Sequence, residues 1–294
     1  MSVAVRTLVL STCLLTAPGA VAGASAQSPA PALPAAVQQD LDDRQLRLAE
    51  PDFALVNLPT SLRLPLQGGN FRLTHRFLAN LRQGTFSQHL SNLFGLDNGA
   101  VIGLEFRYAP VRRLQLVVHR SSLKRTWQFA GQYDAVRQGP TRPVSVSGLV
   151  SIEGTNNFRA RRSEDGVVAD AERSPALGAI VSRTVGDRLA VYAVPVWVHR
   201  SAVVPEGHRD TGFLGLGGRV RLGPKVYGVA EVSPRLGGFA PGSAEFAFGL
   251  ERRAGGHMFQ LTFTNSIGTT FGQISQGGFP RTIYLGFNLG RRFF

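Results

Sequence analysis

V-I-G-L-E-F-R-Y, residues 101–108, places Ile102, Leu104, Phe106 and Tyr108 on one side of an extended chain and Gly103, Glu105 and Arg107 on the other. Successive side chains of a strand point to opposite faces, so this stretch has one apolar and one polar face. Its neighbours repeat the pattern. Leu114, Leu116 and Val118 oppose Gln115 and His119, and Trp127, Phe129 and Tyr133 oppose Gln128, Gln132 and Asp134. Farther on, Val144, Val146, Val150 and Ile152 face away from Ser145, Ser147, Ser151 and Glu153. Leu214, Leu216, Val220 and Leu222 face away from Arg219 and Arg221, and Phe246, Phe248 and Leu250 from Glu245 and Glu251. Phe259, Leu261 and Phe263 oppose Gln260, Thr262 and Thr264, and Ile283, Leu285, Phe287 and Leu289 oppose Tyr284 and Asn288. Residues 174–183 and 189–199 are apolar on both faces and less diagnostic. With residues 70–77 and 226–232 the strand count comes to twelve.

The connections tend to alternate in length. Residues 78–99, 154–173, 201–210, 233–243 and 265–281 are long, whereas 109–113, 184–187, 223–225 and 253–256 are short. Residues 121–125 break the rule, and 135–143 are intermediate. Short turns on one side, longer loops on the other and an even strand number are the layout of a bacterial outer-membrane barrel. A soluble β domain also alternates, but aromatic residues crowd the apolar faces near the strand ends here, as in a membrane girdle. The expected fold is all-β: an up-and-down transmembrane β-barrel of about 12 antiparallel strands. Glycines at 103, 131, 215, 217, 218 and 286 are read as fitting strongly curved strands.

Composition agrees. The chain has 294 residues, 34 of them glycine, and only 17% charged residues, which excludes an intrinsically disordered chain. Beyond the N-terminus no run approaches the roughly 18 to 20 apolar residues of a spanning helix. Arg6, the apolar residues 7–15 and Ala24-Ser25-Ala26 read as a cleaved signal peptide, residues 1–26. Its removal takes Cys13, the one cysteine, and with it disulfides and thiolate chemistry. Residues 27–50 are expected to be a flexible leader, Pro/Ala/Ser-rich to about residue 36 and a short helix or an ordered tail over residues 38–50, and residues 51–294 the barrel domain. The net charge of +13 is almost all arginine, since Lys124 and Lys225 are the only lysines. Arginine suits the phosphate and carboxylate groups of lipid headgroups and lipopolysaccharide, so lipid and not nucleic acid is the expected partner.

Leu58-Pro59, Thr74-His75-Arg76-Phe77, Leu93-Phe94-Gly95-Leu96-Asp97, Gly131-Gln132-Tyr133-Asp134, residues 151–158 (S-I-E-G-T-N-N-F), Pro195-Val196-Trp197 and Glu231-Val232-Ser233-Pro234-Arg235 form a set. Together they resemble a family of bacterial β-barrel proteins of unknown function, over residues 58–294. The resemblance implies an outer-membrane-type barrel and brings no activity, ligand or catalytic residue with it.

Parity then sends the polar faces inward, because a charge facing lipid near the midplane costs about 2 to 4 kcal/mol. Glu105, Arg107, Gln128, Gln132, Glu153, Arg219, Arg221, Glu231, Glu251 and Gln260 are the lumen-lining candidates. They form either a self-satisfied network filling the interior or a charged wall that filters solutes. The expected function is a channel or transporter for small solutes. A non-enzymatic structural or envelope-interaction barrel competes with it, and an outer-membrane lipid hydrolase built on His119-Arg120-Ser121 stands far behind. No cofactor or metal is expected, since the six histidines lack metal-ligand spacing. The aromatic C-terminal strand points to the barrel assembly machinery as a further partner. After Thr85, the helix-like spacing of Phe86, Leu90, Leu93 and Phe94 predicts a short amphipathic helix that enters the lumen, lies on the membrane or caps the barrel end.

Overall fold

The computed structural model describes residues 33–162, 168–169, 173–204, 207–236 and 243–294. The expected signal peptide lies outside the described residues. Twelve strands run up and down and close into a barrel. They are β1 (Gly69–Phe77), β2 (Ala100–Val111), β3 (Leu114–Ser121), β4 (Thr126–Val136), β5 (Ser145–Gly154), β6 (Arg173–Val185), β7 (Leu189–Val204), β8 (Gly207–Arg221), β9 (Val226–Ser233), β10 (Glu245–Ala254), β11 (His257–Thr264) and β12 (Tyr284–Phe293). β12 pairs with β1 from Gly69↔Phe293 to Arg76↔Gly286, so the sheet has no open edge.

The two faces follow parity. On β2, Val101, Arg107 and Ala109 are buried while Ile102, Leu104, Phe106 and Tyr108 are exposed; on β10, Glu245, Ala247 and Glu251 are buried while Phe248 and Leu250 are exposed. Charged groups inside and aromatic groups outside are the inverse of a water-soluble core, and lipid is the solvent that stabilises it.

The short turns 112–113, 137–144, 186–188, 222–225 and 255–256 share one end of the barrel with the start of β1 and the end of β12. The helix α1 (Ala35–Arg44) docks at that end, where Arg137 pairs with Asp43 at 2.7 Å and the Leu66 amide donates to Asp40 at 2.8 Å. The Arg44 guanidinium, hydrogen-bonded to Asp40, holds that carboxyl below the usual carboxylate range. In the second half of the expected leader, the alternatives of a short helix and an ordered tail occur one after the other. Ala35–Arg44 is helical, and Ala49 and Glu50 are buried, because the chain goes on from the helix into the barrel. The first barrel strand begins only at Gly69.

In the loop 78–99, α2 (Phe86–Ser91) starts on a capping box between Thr85 and Gln88. None of its residues is buried, and Phe86 is 71% exposed, so it does not enter the lumen. Phe77 points outward like Phe71 yet is only 9% exposed against 37%. Gly95, just past the helix, sits over it, with an added Cβ falling 3.4 Å from the Phe77 Cβ. The loop thus packs on the outside of β1.

Candidate functional site: the filled lumen

Residues 51–66 cross the lumen as a narrow finger. The chain turns back at its tip, with the Leu55 amide donating to the Leu58 carbonyl at 2.8 Å and the Thr60 amide to the Phe53 carbonyl at 3.0 Å. The finger follows α1 and leads directly into β1, so it enters from the short-turn end. Phe53, Leu55, Val56, Leu58, Leu62 and Leu64 are all at most 5% exposed. A buried hairpin this small leaves most of its amides and carbonyls unpaired, which is unfavourable unless the surroundings supply partners.

The barrel wall supplies them. The Glu231 carboxylate accepts from the amides of Val56 (3.0 Å), Asn57 (2.7 Å) and Leu58 (3.1 Å). Donors meet the carbonyls: Arg72 to Val56 at 2.5 Å, Arg219 to Ala54 at 2.6 Å, Gln260 to Leu55 at 3.0 Å and Asn288 to Val56 at 3.2 Å. The Asn57 side chain is gripped at both atoms, donating to Glu245 at 2.9 Å and accepting from Arg76 at 3.0 Å. On the returning limb, Gln132 donates to the Thr60 carbonyl at 3.2 Å and Gln115 to the Leu62 carbonyl at 3.1 Å.

The inner face of β6 to β8 is largely apolar. Ile180, Ala190, Val194, Val196, Val198 and Phe213 of β6 to β8 form one buried cluster with Leu55, Val56 and Leu58. Two seats on β8 are cut by glycine. A Cβ on Gly215 would lie 2.7 Å from Leu58 Cδ2, and one on Gly217 2.5 Å from Leu55 Cδ1. At these two positions glycine makes room for the finger; curvature alone does not account for it.

A second insert comes from the opposite end, in the connection between β11 and β12. It carries α3 (Phe271–Ser275), whose five residues are all buried. Thr270 caps the helix by accepting from the Gln273 amide, and the Gln273 side-chain oxygen accepts from the Thr269 amide at 3.0 Å. Glu153 accepts from the Gly272 amide at 2.9 Å, and Thr269 Oγ1 lies 3.0 Å from His119 Nε2. Between the inserts remains a cavity of about 30 Å³, touched by Asn57 and Pro59 of the finger, Thr269 and Phe271 of the loop, and Glu105 and Gln128 of the wall. That is room for about two waters.

The ten lumen candidates fall into two groups on either side of the finger. On β2 to β5, Arg107 donates to Gln132 (3.0 Å) and to Glu105 (3.4 Å), and Gln128 donates to Glu153 (3.4 Å). On β8 to β11, Arg219 holds Glu251 through two bonds of 2.5 and 2.8 Å, Gln260 donates to Glu251 at 2.6 Å, and Glu231 takes the finger tip. Arg221 lies on the same row as Arg219, nearer the short-turn end, half-buried, with its Nε unpaired among the described residues. Arg72, Arg76 and Asn288 were not among the candidates, although each alternates with outward aromatic or aliphatic residues on β1 or β12. The occupant of the lumen was missed altogether.

His119 does not pair with Ser121. Its ring lies between Thr269 and Glu105, 3.5 Å from Glu105 through Nδ1, while Ser121 Oγ accepts from the Leu123 amide. This trio fastens the loop to the wall. Among the described residues no group of three His, Cys, Asp or Glu side chains is placed to hold a metal ion.

A closed sheet with lipid-compatible aromatic groups outside and a charged interior defines a membrane β-barrel. The chain belongs to the family described as membrane bound beta barrel domain (DUF5777), which matches residues 53–293 and so takes in the finger as well as the strands. No curated protein matches it. Among solved structures it is similar to the outer membrane protein Omp33 of Acinetobacter baumannii, with 11% identity over 78% of this chain and 98% of that one and a TM-score of 0.40. The CymD monoaromatic hydrocarbon channel gives 9% identity over 78% of this chain and 89% of that one, with a TM-score of 0.39. A Rhodopseudomonas blastica porin variant gives 13% identity and a TM-score of 0.34 over 66% of this chain, which spans only 55% of the porin.

Proposed function

We propose that the protein is an outer-membrane channel for small polar solutes whose resting state is shut by its own N-terminal finger. One observation carries this reading. The finger lies in a lumen whose wall binds its backbone largely through charged side chains, with Glu231 at its tip, and it is tethered at the end from which it enters. Withdrawn, it would leave a gap about 10 Å by 10 Å across, the section of two extended chains side by side with their side chains. That gap would be bordered by Arg72, Arg76, Arg219, Glu231 and Glu251, a wall of both signs suited to hydrated solutes. A filled, purely structural barrel is the second reading, favoured by the loop insert that closes the other half of the lumen.

Planar-bilayer recordings separate the two. The intact protein is expected to be nearly silent. A variant with residues 51–66 replaced by a Gly/Ser linker is expected to give discrete channels while keeping the heat-modifiable mobility of a folded barrel. A folded, linker-substituted barrel that passes neither ions nor small sugars would overturn the channel reading and leave the structural one.

A further inference from the structure

Cations ring the short-turn end. The turns present Arg112 and Arg113, Arg142, Arg188 and Lys225, all exposed, and among the described residues of these turns the one exposed acid is Asp187. Three more arginines stand on the strands themselves. Arg183, Arg252 and Arg291 follow the buried Ser182, Glu251 and inward Gly290, so they point away from the lumen and toward the surrounding membrane. Their lateral neighbours are apolar or aromatic: Arg252 sits across from Phe259 and Val226, and Arg291 across from Phe71 and His257.

Arg291 is already oriented. Its guanidinium carbon lies 5.6 Å from the Phe293 ring, and its Nη1 is 2.9 Å from His257 Nε2. Among the described residues none of the three forms an ion pair with a carboxylate. Outward aromatic groups at a strand end fix the level of the bilayer boundary, so these guanidiniums lie where lipid headgroups begin. A planar guanidinium with several free donors matches a phosphate through paired hydrogen bonds.

We propose that the short-turn rim is a binding site for the headgroup phosphate of anionic glycerophospholipids, with Arg183, Arg252 and Arg291 as its outward-facing anchors and the turn cations supplying the attracting field. The site is independent of whether the lumen conducts.

Native mass spectrometry of the full, folded protein in detergent tests it, with phosphatidylglycerol, phosphatidylcholine and lipid A as probes. The unaltered barrel is expected to retain phosphatidylglycerol at a several-fold lower lipid concentration than phosphatidylcholine. Arg183→Gln, Arg252→Gln and Arg291→Gln together are expected to remove that preference with heat-modifiable mobility unchanged. Lys124→Gln with Arg125→Gln, at the opposite end, should leave the preference intact. Equal retention of the two lipids by the unaltered protein, an undiminished preference in the triple variant, or a preference that follows Lys124 and Arg125 would each overturn the proposal. So would retention of lipid A in place of phosphatidylglycerol.

Discussion

The two inserts that fill the lumen are held by different means. The finger makes few bonds to itself, and its tip amides and carbonyls are taken by Glu231, Arg72, Arg219, Gln260 and Asn288 of the wall. The loop between β11 and β12 is largely self-built. Thr270 and Gln273 close its helix, Asn265 ties its root to β10 through the Phe246 amide and Ala244 carbonyl, and Ser275 donates back to Gly272. The finger is bound as a ligand is bound, whereas the loop is a folded part of the barrel. Disturbing the wall should therefore loosen the finger first and the loop last.

The largest effect should come from Glu251→Ala. It leaves Arg219, which also holds the Ala54 carbonyl, as a buried charge without its carboxylate, and removing one partner of such a pair costs about 3 to 5 kcal/mol. Chemical unfolding in detergent, followed by gel mobility, is expected to show a less stable barrel as well as a loosened finger. Retained stability with only the finger released would move Arg219 from the wall's framework to the finger's seat. Glu231→Ala should be more selective. Loss of three charge-assisted bonds to Val56, Asn57 and Leu58 favours finger opening by about 3 kcal/mol, roughly a hundredfold. Hydrogen exchange at those amides is expected to accelerate accordingly while exchange in α3 stays put. Equal acceleration in both inserts would erase the distinction between them.

Gly215→Val tests the apolar side of the same grip. The added side chain meets Leu58 and overfills its seat at about 2 kcal/mol, and a β-branched residue is otherwise favourable in a strand. Tryptic cleavage after Arg63, buried in the native barrel, is the readout, and faster cutting with an intact barrel is expected. Unchanged protection would mean that the finger shifts within the lumen without leaving it.

The barrel was legible because lipid outside enforces parity: the octet at residues 101–108 and its repeats place the twelve strands, and the structure closes them in sequence order. The finger was not legible for two physical reasons. Its partners are far away in the chain, Leu58 and Glu231 being 173 positions apart, so no local spacing records the contact. Its own residues, with leucines between prolines, carry neither a period of two nor one of 3.6. One signal did exist. Arg173–Val185 and Leu189–Val204 are rich in apolar residues on both faces, and a membrane strand has no use for an apolar inner face unless something apolar lies inside. Gly215 and Gly217, read as marks of curvature, were the seats of that occupant.

The smallest expected effect lies on the loop. Thr269→Val keeps the shape of the side chain and removes its contact with His119 Nε2, leaving the imidazole facing Glu105 alone. A single buried hydrogen bond of this kind contributes about 1 kcal/mol. Because Asn265, Thr270 and Gln273 continue to hold the loop, exchange at the Gly272 amide should rise only about fivefold, and exchange at Val56 to Leu58 should not change. A larger response at the finger tip would show that the two inserts are coupled through Phe271 and Leu58, which lie in one apolar cluster. The finger could not then leave alone, and opening the lumen would require both inserts to move.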